Sequence, residues 1–256
     1  MADFFIGVPN RLELFGPLHL WLSAVFIALY IALFVFRDKL TAFGHFKAVR
    51  ITMASVLLAN MAIHYISKII LGVWTFDTDL PLHLCFITNF FMIYILYTDN
   101  RRNLYRVIYF FTFIGPLPAM IWPDLRCSYD SYIFYQFIIS HHVMLLISLY
   151  CLCVLKYETS VKSTMPAFFI GNLVIGSVMV FNMIFKTNYI MMNELPEQLY
   201  EIYPFLTLLP PLAWLELVGI LAIFASCIPM LIFRHLDKKT AVSSQKTSDQ
   251  PATMKA

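Results

Sequence analysis

The sequence predicts an all-α, polytopic membrane protein built as a seven-transmembrane-helix bundle. Of its 256 residues, 60% are hydrophobic and only 13% are charged, and the mean hydropathy is +0.74. Apolar runs of about 18 residues or more, the length that an α-helix needs to cross a bilayer, recur along the chain. These runs are continuously apolar, whereas the strands of a transmembrane barrel alternate, so helices are the predicted spanning elements.

The seven predicted spans are joined by short loops. They cover residues 18–36, 47–71, 81–98, 104–121, 132–155, 165–185 and 209–233. Residues 1–235 are therefore predicted to form a single transmembrane domain, because no gap between spans would hold a separate soluble domain. Residues 236–256 shift in composition to Ser, Thr, Lys and Gln, which predicts a disordered cytoplasmic tail.

Lysine and arginine are concentrated in alternate loops and in the tail, while the remaining loops carry mainly acidic residues. By the positive-inside rule this places the N-terminus outside or in a lumen and the C-terminus in the cytoplasm. The basic span ends suit anionic lipid head groups, so the predicted partner is the membrane and not nucleic acid. The predicted location is the plasma membrane, or the endoplasmic reticulum if the source is eukaryotic.

Polar and ionisable side chains within the predicted spans fall on the outer side. They are His19, His64, His83, Cys85, Asn89, His141, Asn182 and Glu216. Ionisable groups at such depth cost about 2.5–3.5 kcal/mol each on insertion scales, so they normally face the bundle interior or a water-filled cavity. A single polar chamber open to the outer leaflet would accommodate all of them.

Within the third span, His83 and Cys85 are two residues apart, about 200° around a helix, and do not face each other. A base for the Cys85 thiol must therefore come from another helix. Cys85 is predicted to lie four residues into its span, where the dipole that favours a thiolate at a helix N-terminus is already fading. On the fifth span, His141 and His142 point about 100° apart, so only one of them is expected to reach the chamber.

The sequence lacks the motifs of several enzyme classes. GxSxG, HExxH, GxxxxGK[ST] and GxGxxG are absent, and so is the HxxxxD signature of glycerolipid acyltransferases. No local spacing of His, Cys, Asp or Glu predicts a metal site, and no cofactor is predicted. A single cysteine in a transmembrane helix is most often a small apolar side chain, so the chemistry of Cys85 needs a second argument.

Five motifs in order resemble one known family. They are LFGPLHL (Leu14–Leu20), DLPLHLC (Asp79–Cys85), LYRVIYFFTFIGPLPAMIWPD (Leu104–Asp124), FIISHH (Phe137–His142) and NMIFKTNY (Asn182–Tyr189). Together they resemble the YwaF-like family of integral membrane proteins over about residues 14–233. Among its animal relatives is a transmembrane enzyme that resembles a cysteine-dependent acyltransferase acting on ether phospholipids.

The resemblance implies a lipid acyltransferase (transacylase) that uses a cysteine–histidine pair. In that animal enzyme a cysteine lies near the start of one helix and a histidine lies on a later helix. The resemblance assigns the motif at the helix start to His83 and Cys85 and the later histidine to His141, with membrane phospholipids as substrates. In the animal pattern the cysteine immediately precedes the motif histidine, a position that Leu82 occupies here, whereas Cys85 follows the histidine by two residues. Because Leu82 and Cys85 are three residues apart, the two positions lie on nearly the same helical face.

On this hypothesis Cys85 is the nucleophile, His141 is the general base and acid, and His83 or Asn89 stabilises the oxyanion. The remaining chamber residues, His19, His64, Asn182 and Glu216, together with Asn89, would bind substrate. Two alternatives remain open from the sequence. One is a small-molecule or proton-coupled transporter or receptor that uses the same chamber, and the other is a zinc-dependent lipid hydrolase.

Overall fold

The computed structural model describes residues 2–6, 10–100 and 103–248, and these form helices and loops without a strand. The α-helices are α1 (Ala2–Ile6), α2 (Pro17–Phe43), α3 (Phe46–Ile70), α4 (Leu84–Thr98), α5 (Tyr105–Ile114), α6 (Pro116–Ile121), α7 (Tyr132–Ile138), α8 (Met144–Cys153), α9 (Thr164–Phe185), α10 (Glu197–Ile202) and α11 (Pro211–Ser248). A π-helical segment, Ile139–Val143, joins α7 to α8 without a break. The all-α prediction is therefore confirmed for the part of the chain that the structure describes.

Five helices are long and apolar enough to cross a membrane. They are Pro17–Phe43, Phe46–Ile70, Tyr132–Cys153, Val161–Phe185 and Pro211–Asp237. The other two apolar helices, Leu84–Thr98 and Tyr105–Ile121, are shorter. At a rise of about 1.5 Å per residue, the 15 residues of α4 extend roughly 22 Å, less than the hydrocarbon thickness of about 30 Å. The count of seven spans and the orientation of the termini stay predictions.

Two helix ends differ from the predicted spans. Helix α2 continues to Phe43 and ends where Gly44 adopts a positive φ of 70°, a conformation that glycine adopts without steric cost. Helix α11 continues to Ser248 and so includes part of the segment 236–256 that the sequence assigns to a tail. Residues 249–256 lie outside the described residues, and the disorder of the tail stays a prediction.

The core lies around α5 and α8. Nearly every side chain of these two helices is buried, and α5 packs against α4, α8, α9 and α11. The surrounding helices turn apolar side chains outward, as at Leu173 (71% exposed) on α9 and Phe224 (68% exposed) on α11. Outward-facing apolar side chains on such long helices are expected where lipid, rather than water, surrounds the bundle.

The fourth predicted span is interrupted at Gly115. Helix α5 ends at Ile114 and α6 begins at Pro116, whose missing N–H is no loss at the first position of a helix. A Cβ atom at Gly115 would lie 3.4 Å from the backbone nitrogen of Cys85 and 3.4 Å from Cβ of Leu84. The missing side chain therefore allows this junction to approach the first turn of α4 closely.

At the basic, predicted cytoplasmic end, ionic contacts connect the helix ends. Arg50 and Asp99 form an ion pair at 2.9 Å, and Lys156 pairs with Asp237 at 2.9 Å. A third cation, Arg234, donates a hydrogen bond to a backbone carbonyl in the loop before α9. These contacts therefore hold the ends of α3 and α4 together and connect the loop after α8 to α11.

Candidate functional site at the start of the fourth helix

The loop that leads into α4 is held by a buried carboxylate. Asp79 is 5% exposed and forms an ion pair with Lys68 of α3. Its second oxygen accepts a hydrogen bond from the backbone N–H of Thr75 at 2.8 Å. Because both carboxylate oxygens are engaged, Asp79 fixes the loop against the C-terminal end of α3.

Tyr189 fixes the same loop from the other side. Its hydroxyl accepts a hydrogen bond from the backbone N–H of Leu80 at 3.0 Å and donates one to the carbonyl oxygen of Phe76. Burial raises the pKa of the Tyr189 hydroxyl, and the nearby carboxylate of Asp79 raises it further. The hydroxyl therefore stays protonated and retains the proton that it donates to Phe76.

The first turn of α4 contains the cysteine. His83 is the N-cap residue, with φ −67° and ψ 140°, so Cys85 is the second residue of the helix. The sequence placed the start of the span at residue 81, but a turn in which the N–H of Leu82 donates to the carbonyl of Leu80 precedes the helix. Cys85 consequently lies among backbone N–H groups that have no intrahelical acceptor, where a helix N-terminus favours negative charge.

Asn89 joins the cysteine-bearing turn to the fifth predicted span. Its side-chain Nδ2 donates to the carbonyl oxygen of Cys85 at 2.9 Å and to the carbonyl oxygen of Ser140 at 3.2 Å. The residue is 1% exposed, so these two bonds form without competition from water. Both amide protons are used, and the start of α4 is therefore held next to the residue that precedes His141.

His141 lies in the π-helical segment with one ring nitrogen fixed. Its Nδ1 is 2.8 Å from the carbonyl oxygen of Phe137 and 3.0 Å from Oγ of Ser140. A carbonyl only accepts, so the Nδ1 proton is assigned from this contact, and Nε2 carries the lone pair. Nε2 makes no hydrogen bond to any described residue, which leaves it free to accept a proton. Segments of π-helix occur frequently at functional sites.

The two adjacent histidines face different helices. His142 stacks on Phe26 of α2, with ring centroids 4.4 Å apart. His141 instead stacks on Phe137 at 4.1 Å and lies within electrostatic range of His83. The two rings therefore pack on different neighbours, in agreement with the divergence expected from the sequence.

His64 lies beside this cluster on α3. The side chain is buried, and its ring centroid is 5.2 Å from that of Tyr65 and 5.5 Å from that of Phe86. The Lys68–Asp79 ion pair lies within electrostatic range of the imidazole. His64 thus borders the first turn of α4, although no hydrogen bond joins it to Cys85.

Two other candidates have all or most of their polar atoms engaged in structural contacts. The Nδ1 atom of His19 accepts a hydrogen bond from the N–H of Phe15 at 3.0 Å, and its Nε2 donates to the carbonyl oxygen of Met120 at 2.9 Å. Asn182 accepts from the N–H of Tyr189 at 3.0 Å and donates to its carbonyl oxygen at 2.9 Å. These contacts place His19 between α2 and α6, and Asn182 under the loop that carries Tyr189.

Glu216 is a separate case. It is partly exposed on α11, and it makes no hydrogen bond or ion pair with the part of the chain that the structure describes. None of its contacts joins it to Cys85, Asn89 or His141. Asn89 therefore links the backbone at Cys85 to the backbone at Ser140, with His83 and His64 bordering the first turn of α4. No hydrogen bond joins the Cys85 thiol to His83 or His141 among the described residues, and His19, Asn182 and Glu216 lie elsewhere in the bundle.

The sequence interpretation did not single out two residues near Cys85. One is Tyr65, whose hydroxyl lies within electrostatic range of the Cys85 thiol. The other is Asp79, which the sequence interpretation includes in the motif Asp79–Cys85 without giving it a role. The only sequence signal for the ion pair is that Lys68 and Asp79 have opposite charges and are eleven residues apart. This spacing does not show that the pair is buried.

No group of three or more His, Cys, Asp or Glu side chains within the described ranges is arranged to hold a metal ion. The zinc-dependent alternative therefore has no ligand set among these residues to which roles could be assigned.

The fold defines a helical integral membrane protein in which a buried asparagine, Asn89, links the cysteine-bearing first turn of α4 to the π-helical segment. The sequence model of the TMEM164 family matches residues 14–233, and the chain belongs to this family of membrane proteins. No match was found among curated proteins or solved structures. The wider YwaF-like relationship stays a prediction.

Proposed function

We propose that the chain is a lipid acyltransferase, a transacylase that moves an acyl chain between membrane phospholipids through a Cys85 thioester. The single observation that carries the proposal is the Asn89 side chain, which bonds the Cys85 carbonyl and the Ser140 carbonyl. This bridge links the first turn of α4, which carries Cys85, to Ser140, the residue before His141, and it supports the proposal because Nε2 of His141 makes no hydrogen bond to a described residue. Nucleophilic catalysis by a thiol needs a base on a neighbouring element.

The proposed reaction has two halves. His141 Nε2 removes the thiol proton, and Sγ of Cys85 attacks the carbonyl carbon of a phospholipid ester, forming a C–S bond. The C–O bond to the glycerol oxygen then breaks, and the leaving oxygen takes the proton from His141. A second lipid alcohol loses its proton to His141, attacks the thioester and releases Cys85 as the thiol. No cofactor is consumed.

The oxyanion of the tetrahedral intermediate needs hydrogen-bond donors. The sequence offered His83 or Asn89 for this role, but both amide protons of Asn89 are already directed at backbone carbonyls. The Nδ1 atom of His83 accepts from the N–H of Ile190 at 3.4 Å, so in the neutral imidazole the proton resides on Nε2. We therefore assign the oxyanion donor to His83 Nε2–H.

The test is acyl exchange in proteoliposomes that contain a labelled diacyl phospholipid and an unlabelled lysophospholipid. Replacement of Cys85 by Ala removes the nucleophile and is expected to abolish transfer, and His141→Ala should be as damaging because the two residues act as a unit. A matched control is Cys227→Ala, since Cys227 is also a partly exposed free thiol but lies on α11. Full transfer by the Cys85→Ala protein would overturn the proposal.

A transporter or receptor remains the second candidate, and one observation favours it. Lys68 and Asp79 both lie within electrostatic range of His64, and Asp79 also lies within range of the hydroxyl of Tyr65, a grouping that would suit proton-coupled binding. An electrophile that mimics an acyl ester separates the two functions. The acyltransferase is captured covalently at Cys85, whereas a transporter keeps its ligand binding after Cys85→Ala and responds to pH near the pKa of histidine.

A further inference from the structure

The hydroxyl of Tyr65 is buried and has no hydrogen-bond partner in the described protein. A buried polar group without a partner is destabilising, and native structures contain few of them. The buried side chains of Asn60 and His141, for comparison, make hydrogen bonds. An unpaired donor in this polar region therefore points to a partner that is not part of the chain.

The location of Tyr65 suggests the chemistry of that partner. Its ring centroid is 5.7 Å from that of Phe86, the residue next to Cys85, and 5.2 Å from that of His64. The hydroxyl lies within electrostatic range of Cys85, Asp79 and Tyr189. Tyr65 and Cys85 are both partly exposed as residues, although the hydroxyl oxygen of Tyr65 is itself buried. A ligand that reaches the thiol therefore comes close to the Tyr65 hydroxyl.

The hydrogen-bonding capacity of the surrounding groups indicates that the Tyr65 hydroxyl acts as a donor. Apart from Tyr65, the buried unpaired atom nearest to the cysteine-bearing turn is Oδ1 of Asn89, which only accepts. The nearby carboxylate of Asp79 accepts from Lys68 and Thr75. A tyrosine hydroxyl both donates and accepts, so Tyr65 has a free proton to offer to a ligand oxygen beside the thiol.

We propose that the Tyr65 hydroxyl donates a hydrogen bond to the carbonyl oxygen of the acyl group that Cys85 attacks. This rests on the proposed acyltransferase function and adds a second donor to His83 Nε2–H. As the carbonyl carbon becomes tetrahedral, its oxygen gains negative charge and the hydrogen bond from Tyr65 strengthens. Binding that is stronger in the transition state than in the ground state raises kcat more than it lowers KM.

The test is Tyr65→Phe, which removes one oxygen atom and keeps the ring that packs on Phe86 and His64. Acyl exchange in proteoliposomes is expected to show a kcat about 100-fold lower, the loss typical of an oxyanion donor, with KM changed less than about threefold. The Tm in detergent should be unchanged or higher, because the hydroxyl has no protein partner to lose. A kcat within about twofold of the wild type would overturn the proposal.

The matched control is Tyr105→Phe. The hydroxyl of Tyr105 is also buried, but it donates to the carbonyl oxygen of Ser148 at 2.7 Å in the core. This variant should lower the Tm and leave the kcat of the folded protein unchanged. If Tyr65→Phe instead behaves like Tyr105→Phe, the Tyr65 hydroxyl has a structural role and the inference is wrong.

The failures of the two proposals can be told apart. Wild-type protein without acyl exchange, or a fully active Cys85→Ala protein, overturns the acyltransferase function and the role of Tyr65 with it. An active wild type, an inactive Cys85→Ala protein and a fully active Tyr65→Phe protein overturn the role of Tyr65 alone. Covalent capture of an acyl-ester mimic at Cys85 in Tyr65→Phe checks that the thiol remains accessible.

Discussion

The Asn89 side chain donates a hydrogen bond to the Ser140 carbonyl oxygen at 3.2 Å and thereby joins α4 to the π-helical segment. Asn89→Ala removes the side-chain amide, so the carbonyl oxygens of Ser140 and Cys85 both lose this hydrogen-bond donor. We expect a decrease of about 1–3 kcal/mol in the free energy of unfolding, together with a loss of acyl exchange, because Cys85 and His141 are no longer held together. Unfolding in mixed micelles measures the first effect.

The matched control for Asn89 is Asn172→Ala. The side chain of Asn172 donates only within its own helix, to the carbonyl oxygen of Phe168 at 3.1 Å. We expect acyl exchange to be unaffected in the Asn172→Ala protein. Equal activity losses in the two variants would contradict a specific role for the Asn89 bridge.

Removing one partner of the Lys68–Asp79 ion pair should be more damaging than removing both. Asp79→Ala leaves a partly buried ammonium unpaired, and breaking a buried pair in this way costs about 3–5 kcal/mol. The double variant Lys68→Met with Asp79→Leu replaces both charges with apolar groups and should recover most of this stability. Unfolding of both variants in mixed micelles is the measurement, and a double variant less stable than Asp79→Ala would contradict the expectation.

Gly115→Ala should disturb the first turn of α4 by packing alone. The added Cβ would meet the backbone nitrogen of Cys85 at 3.4 Å, the lower limit of ordinary van der Waals contact, and the φ of −86° at Gly115 gives no reason for backbone strain. The neighbouring atoms need to shift only slightly, so we expect a cost at the low end of the range for overpacking, about 1 kcal/mol, with a partial loss of acyl exchange. In Gly176→Ala the new methyl meets nothing within 4 Å, so that protein should match the wild type. Similar Tm values for the two variants would argue against the close approach.

The adjacent histidines should respond oppositely to the same substitution. His141→Phe removes the unpaired Nε2 and should lower kcat about 1,000-fold, within the range for loss of a general base. His142→Phe keeps a ring to stack on Phe26 and removes a buried, unpaired Nδ1, so acyl exchange should stay within about threefold of the wild type. Exchange assays on both proteins decide this, and a large loss in His142→Phe would reverse the assignment of the base.

Local patterns in the sequence were sufficient to predict the long helices and part of the candidate site. Continuous apolar runs located all of the long helices, because burial in lipid requires the same composition along the whole span. The angle between adjacent helical residues separated His141 from His142 before any contact was known. The start of α4 could not be predicted in this way. The loop that precedes it is held by the Lys68–Asp79 ion pair and by the hydroxyl of Tyr189, and both Lys68 and Tyr189 lie on other elements of the chain.

The sequence by itself determined the all-α membrane class, the membership of a membrane protein family and the clustering of polar residues in certain spans. Only the tertiary structure decided which of these residues meet: Asn89 joins Cys85 to Ser140, while the ring nitrogens of His19 are used by backbone groups. Composition and periodicity report which side chains tolerate burial and which face they occupy. Hydrogen-bond partners between helices depend on packing angles and on breaks such as Gly115, and no local pattern encodes these.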